Sequence, residues 1–209
     1  MKTIGRLHVL TDTVLQKNFS HTELTSRAVS GGVDTIQFRQ KKGTTRDMIR
    51  TAQKMKSICE KSGVTFIVND RIDVAIASEA DGVHLGQDDF PVSLARELLG
   101  DDRIIGGSAA TIEEAQICFS EGVDYIGFGP VYATSSKDDA GPVSGLKILK
   151  QVVREIPLPV IVIGGIDADN AAEVMKAGAY GVAVISAVCC RANPEEATIE
   201  LSEVVKRNV

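Results

Sequence analysis

EGVDYIGFGPV, residues 121–131, leaves a helical pattern on a glycine and enters an apolar run two residues later. The same phrase recurs as SGGVDTI (30–36), EADGVHL (79–85) and AGAYGVAV (177–184). Glycine at a helix end supplies a left-handed cap that side chains with a Cβ resist. Each phrase therefore predicts a junction from helix to strand, and their recurrence indicates one unit used repeatedly.

Outward from these junctions the chain alternates. Short runs rich in β-branched residues fall at 6–12, 34–40, 65–70, 82–87, 103–109, 124–131, 159–166 and 181–188. Helical patterns such as TRDMIRTAQKMKSICEKSG (45–63) and GLKILKQVVREI (145–156) lie between them. In the second, Leu146, Leu149, Val152 and Val153 share one face at core-facing spacing. The strand runs are almost continuously apolar, as in a parallel sheet covered on both faces. Eight such units without a composition break predict an α/β fold, a single (β/α)8 TIM barrel forming one domain over 1–209, in preference to a doubly wound sheet.

A net charge of −5 without a basic block argues against nucleic acid and acidic membrane surfaces as partners. The apolar runs are too short to span a bilayer. The start, MKTIGRLHVLTD, shows neither an apolar signal stretch nor a cleavage site, so a cytoplasmic protein is expected. Cys59, Cys118, Cys189 and Cys190 have neither CxxC spacing nor a disulfide framework, and read as reduced thiols rather than zinc ligands. The oligomeric state is not fixed by sequence; a homodimer is compatible with it.

In a barrel of this type chemistry sits at the C-terminal strand ends. There the sequence places Thr11 and Asp12, then Gln37, Arg39 and Lys41, then Asn69 and Asp70, then His84, Gln87 and Asp89. Ser108, Thr134, Ser136, Lys137, Gly164, Gly165 and Ser186 complete that rim. Asp70 and Asp89 on neighbouring strand ends form a hard-oxygen pair suited to Mg²⁺. Arg39, Lys41 and Lys137, with the Thr134, Ser136 and Ser108 hydroxyls, match a polyanionic phosphate group. Glycines 164 and 165 and the backbone after strand 8 read as a second anion site. Together they describe a transferase joining two phosphorylated small molecules.

Simpler roles stand beside each of these. Asp70 and Asp89 could cap helices. Arg39 could pair with a carboxylate in the barrel mouth, His84 could be a satisfied barrel histidine, and Gly164-Gly165 could be only a tight turn. His21 reads as a surface residue. The long polar stretch GPVYATSSKDDAGPVSG (129–145) reads as a lid carrying Lys137, with Gly141 and Gly145 flanking its hinge.

LHVLTD, IQFRQKKG, VNDRIDVAIASEADGVHLGQDDF, IIGGSAATIEEA, DYIGFGPVYATSSKDDAGPVSGL, PVIVIGGI and AGAYGVAVISAV together resemble the thiamin phosphate synthase (thiamin-phosphate pyrophosphorylase) and thiazole tautomerase family. The resemblance runs from strand 1 to strand 8. It implies Mg²⁺-dependent transfer of a hydroxymethylpyrimidine group from its diphosphate to a thiazole phosphate. By motif, Asp70 and Asp89 would hold Mg²⁺, and Gln37, Arg39, Lys41, Asn69 and Lys137 would bind the diphosphate. Arg39, Lys41, Ser108 and Lys137 would carry the catalysis, with Ser108 contacting the pyrimidine or the pyrophosphate. His84 joins the substrate-binding set. Thr134 and Ser136, with the backbone at Gly164, Gly165, Ile185 and Ser186, would hold the thiazole phosphate.

Three positions depart from the family pattern. Gln40 replaces an acid after Arg39, His8 replaces a tyrosine on strand 1, and Ala110 stands where histidine is usual after strand 5. Alanine cannot move a proton, which argues against the isomerase alternative. A diverged thiazole-phosphate-binding protein is the remaining alternative.

Overall fold

The computed structural model describes residues 3–136 and 141–209. Eight parallel strands close a barrel in sequential order: β1 (Leu7–Thr11), β2 (Thr35–Phe38), β3 (Thr65–Asn69), β4 (Gly82–Leu85), β5 (Ile104–Ala109), β6 (Tyr125–Phe128), β7 (Val160–Ile163) and β8 (Gly181–Val184). β8 pairs back onto β1, with Leu7 opposite Val182 and Val9 opposite Val184. Helices α1 (His21–Ser30), α2 (Thr45–Lys61), α3 (Ile72–Ala77), α4 (Val92–Leu99), α5 (Ile112–Glu121), α6 (Gly145–Glu155) and α7 (Ala171–Lys176) follow β1 to β7 in turn. After β8 come a short α8 (Ser186–Cys189) and the longer α9 (Pro194–Arg207). Among the described residues, no helix is long and apolar enough to cross a membrane.

The period of two in each strand sorts its side chains. Val9, Ile36, Phe38, Val68, Val83, Ile105, Ile126, Val162 and Val182 face outward and pack beneath the helices. Leu10, Ile67, Ile104, Tyr125, Ile161, Ala183 and Ile185 fill the barrel interior. On α6, Leu149 and Val152 are buried, and Leu146 and Val153 pack against the same core. Truncating Leu149 to alanine would cost about 2–5 kcal/mol.

The recurring junction has a different physical basis from the one its glycines suggest. Gly122 does cap α5 in the left-handed region, and Gly32 and Gly178 have positive φ. At 79–85, however, Glu79 takes the positive φ, and Gly82 lies inside β4. What three copies share is an aspartate. Asp34 Oδ2 accepts from the Leu7 N–H at 2.9 Å, Asp81 Oδ2 from Phe66 at 2.9 Å, and Asp124 Oδ2 from Ile105 at 2.7 Å. Each carboxylate at the start of an even strand thus ties down the start of the strand before it. Lys56 pairs with Asp81 at 2.9 Å and Arg96 with Asp124 at 2.7 Å. The fourth copy carries Tyr180, whose ring lies under the Arg6 guanidinium at 4.4 Å. This lower rim is a belt of satisfied charges.

Candidate active site

The upper rim collects the residues expected there. Arg39, buried just past β2, pairs through its guanidinium with Asp12, which follows β1. Asp12 also accepts from the Val14 and Leu15 N–H groups at 2.7 and 3.0 Å, so the carboxylate that aims Arg39 is itself fixed. The barrel-mouth ion pair weighed as the simpler role for Arg39 is therefore present, and a fork of guanidinium donors remains beyond it.

Gln37 lies between Leu10 and Ile67 in the sheet register, two residues of the interior cluster. Its Oε1 is buried with no hydrogen-bond partner among the described residues. An orphaned buried acceptor costs about 1–3 kcal/mol, a penalty that a bound donor would remove.

Asp70 sits past β3 at φ +64°, a left-handed conformation that aspartate tolerates better than most residues. It is not a helix cap: α3 starts after Arg71, without a side-chain capping bond. Its Oδ2 instead accepts from Lys41 Nζ at 2.6 Å. Asp89 does not cap α4 either, since the position preceding that helix is Pro91. Its Oδ2 accepts from the Gly86 N–H at 2.7 Å. Burial, with the Asp70 carboxylate beside it, pushes Asp89 above the ordinary carboxylate range, while the Gly86 N–H and Lys41 pull the other way. Two crowded carboxylates with one ammonium nearby are short of positive charge, and the donor set fits Mg²⁺, which takes one or two carboxylates and completes its shell with water and phosphate.

Asn69 is buried at the end of β3, in register with His84 on β4. The His84 imidazole spans the interior, with Nδ1 2.9 Å from Tyr125 Oη and Nε2 2.9 Å from Ser108 Oγ. His84 is thus both well bonded inside the barrel and one atom away from the cavity wall.

That wall belongs to a cavity of about 310 Å³ lined by Ser108, Ala110, Thr134, Ser136, Gly164, Gly165, Ile185 and Ser186 among others. Gly164 and Gly165 have φ of +101° and +67°. A Cβ on Gly164 would meet Pro130 Cα at 2.5 Å, and one on Gly165 would meet the Ala133 carbonyl oxygen at 2.6 Å. The pair is a tight turn because the 129–133 backbone packs onto it, and the same packing brings Thr134 and Ser136 to the cavity. Ser136 Oγ donates to Ser186 Oγ at 3.0 Å, joining the segment after β6 to the start of α8.

Of four further residues in this arrangement, Asp12 and Gln87 were expected at this rim and Tyr125 and Glu114 were not. Asp12 orients Arg39, Tyr125 holds His84, and Glu114 accepts from the Ala110 N–H at 2.6 Å while lining the cavity. Gln87 donates to the Ser108 carbonyl at 2.6 Å. The Asp in LHVLTD and the Tyr in DYIGFG were the available signals. His21, expected at the surface, is buried: Nδ1 lies 2.8 Å from Thr11 Oγ1, and the ring meets Phe38 edge-on at 4.9 Å. The loop after β1 folds it back over the strand ends. Lys137, and with it the delivery of a cation by the 129–145 lid, lies outside the described residues.

Comparison with known proteins follows this geometry. Residues 7–188 match a family model described as thiamine monophosphate synthase. A thiamine-phosphate synthase of Salinibacter ruber is 50% identical over 94% of this chain and 87% of its own length. One from Methanocella arvoryzae is 50% identical over 96% of this chain and 95% of its own. A solved thiamine phosphate pyrophosphorylase from Pyrococcus furiosus superposes with a TM-score of 0.89 at 38% identity, covering 98% of this chain and 96% of that one.

Proposed function

This chain belongs to the thiamine monophosphate synthase family and is a transferase of it, and we propose that it joins a hydroxymethylpyrimidine diphosphate to a thiazole phosphate, giving thiamin phosphate and pyrophosphate. The observation that carries this reading is the meeting of the Asp70 and Asp89 carboxylates with Lys41 at one side of the barrel mouth, while Arg39 is fixed by Asp12 at the same rim.

Asp70 and Asp89 would hold Mg²⁺, which when bound neutralises diphosphate charge and makes pyrophosphate a better leaving group. Arg39 and Lys41 bring positive charge to the diphosphate, Gln37 and Asn69 supply amide groups to it, and by the family motif Lys137 would add a third cation. The bond between the pyrimidine methylene carbon and the diphosphate oxygen breaks with its electron pair going to that oxygen. The resulting pyrimidine cation is captured by the thiazole nitrogen. No side chain has to remove a proton from carbon for this, so positioning and charge stabilisation carry the rate.

The thiazole phosphate would lie against the Gly164-Gly165 turn, Ile185 and Ser186, with the Thr134 and Ser136 hydroxyls beside it. The cavity excludes water from a cation that water would quench. The isomerase alternative lacks a group on the cavity wall: the Ala110 side chain has no proton to give.

Pyrophosphate release tests the reading. It should require both substrates, stop with EDTA, return with Mg²⁺, and collapse in Lys137→Ala. Binding of thiazole phosphate without metal-dependent release would make the chain a binding protein instead.

A further inference from the structure

The interior of this barrel contains a hydrogen-bonded line that the proposed chemistry leaves unexplained. Tyr125 is fully buried, and its hydroxyl has a single hydrogen-bond partner among the described residues, His84 Nδ1 at 2.9 Å. On the far side of the imidazole, Nε2 lies 2.9 Å from Ser108 Oγ at the cavity. Space for this line is built into two neighbouring strands. A Cβ on Gly106 of β5 would lie 2.4 Å from His84 Nδ1 and 2.3 Å from Tyr125 Cζ, and one on Gly127 of β6 would lie 2.6 Å from His84 Cε1. Any side chain at either glycine would push the imidazole out of line.

The direction of the line follows from counting protons. Burial pushes the Tyr125 phenol above its ordinary range, so it keeps its proton. A buried O–H needs an acceptor, and Nδ1 is the one it has. Nδ1 therefore offers its lone pair, which leaves the proton of a neutral imidazole on Nε2. Nε2–H then donates to Ser108 Oγ. With an acceptor lone pair of Ser108 engaged from behind, its own hydrogen is free to point away, into the cavity.

We infer that Tyr125 and His84 are positioning residues that fix Ser108 as a hydrogen-bond donor toward the bound substrate. The atom that Ser108 meets is then an acceptor, a diphosphate oxygen or an unprotonated ring nitrogen, and not a pyrimidine amino group. Its identity rests on the proposed function; the polarity of the line does not.

Two experiments separate those layers. Long-range ¹H–¹⁵N correlation on histidine-labelled protein without substrate reads the His84 tautomer directly. A protonated Nε2 with an unprotonated Nδ1 is expected, and a proton on Nδ1 would overturn the inference whatever the enzyme catalyses. In pyrophosphate release, Ser108→Ala should lower kcat by ~10²-fold, the usual effect of losing one donor at developing charge. Tyr125→Phe keeps the ring and should lower kcat by about tenfold with KM for thiazole phosphate unchanged. The double variant should be no slower than Ser108→Ala alone, because the tyrosine acts through the serine. Multiplied losses in the double variant would mean that Tyr125 supports the barrel and does not orient Ser108.

Discussion

The two ends of the barrel use charge in opposite ways. At the lower rim each carboxylate is matched: Asp81 with Lys56 and the Phe66 N–H, Asp124 with Arg96 and the Ile105 N–H. At the upper rim two carboxylates crowd each other, Asp70 holds a positive φ, and Gln37 Oε1 is buried without a partner among the described residues. The lower-rim carboxylates are matched as they stand, although Thr35 Oγ1 at the start of β2 is also buried without a partner among the described residues. Under the proposed function, a cation and a polyanion would complete the upper rim. Positive φ and orphaned atoms occur at both ends, at Glu79 and Thr35 below and at Asp70 and Gln37 above; what sets the upper rim apart is the crowding of its carboxylates.

Acid probes both ends, and its effect is the largest expected. His8, bonded to the Gly5 carbonyl, and His21, beside Thr11, are both held neutral by burial and lowered to about 4. The unfolded chain takes up these protons near the ordinary histidine value of 6.5, so the stability each contributes is present above that pH and is lost as pH falls towards 4. At ~1.4 kcal/mol per unit, each histidine accounts for roughly 3 kcal/mol. Urea midpoints measured across that window should fall steeply, and the slope should lessen in His8→Gln or His21→Gln. A flat profile would show that neither imidazole is held neutral.

Substitution at the upper rim comes next. Asp70→Asn should lower turnover by ~10²–10³-fold, about 3–4 kcal/mol in the barrier, while the urea midpoint stays within error or rises. A collapse of stability would place Asp70 with the lower-rim aspartates. The converse substitution, Asp81→Ala, removes the acceptor of the Phe66 N–H and leaves the Lys56 ammonium with only Glu60 at 3.9 Å among the described residues. It should cost about 3 kcal/mol in urea unfolding with kcat/KM unchanged in the folded fraction. The smallest effect is at Gly165→Ala, where a positive φ and the Ala133 carbonyl oxygen both oppose a Cβ. About 2 kcal/mol is expected, with a raised KM for the thiazole phosphate and an unchanged KM for the pyrimidine diphosphate. Equal changes in both would deny the cavity its assigned substrate.

The contrast also explains what could be read from the sequence. The strands were legible because β-branched runs and a closing order of eight are local patterns repeated along the chain. The belt of aspartates was not, although VD and AD stand in plain view. Their partners lie a strand and a helix away, and the glycines beside them offered a nearer explanation. His21 was misplaced for the same reason, since its burial depends on how the loop after β1 returns over Phe38. Asp70 and Asp89 were legible as a pair only because barrel topology places successive strand ends together. That they repel, and that neither caps a helix, depends on the three-dimensional arrangement of the loops after β3 and β4.

The most direct test of this account is one variant measured two ways. Asp89 is raised, so its charged form costs stability once pH rises through that raised value. Asp89→Asn removes the charge and keeps the shape. At pH 8 without Mg²⁺ its melting temperature should rise above that of the unaltered protein, Mg²⁺ should no longer shift it, and pyrophosphate release should fall at least 100-fold, roughly 3 kcal/mol in the barrier. A lower melting temperature with turnover retained would contradict the account, making Asp89 a structural carboxylate like those of the lower rim.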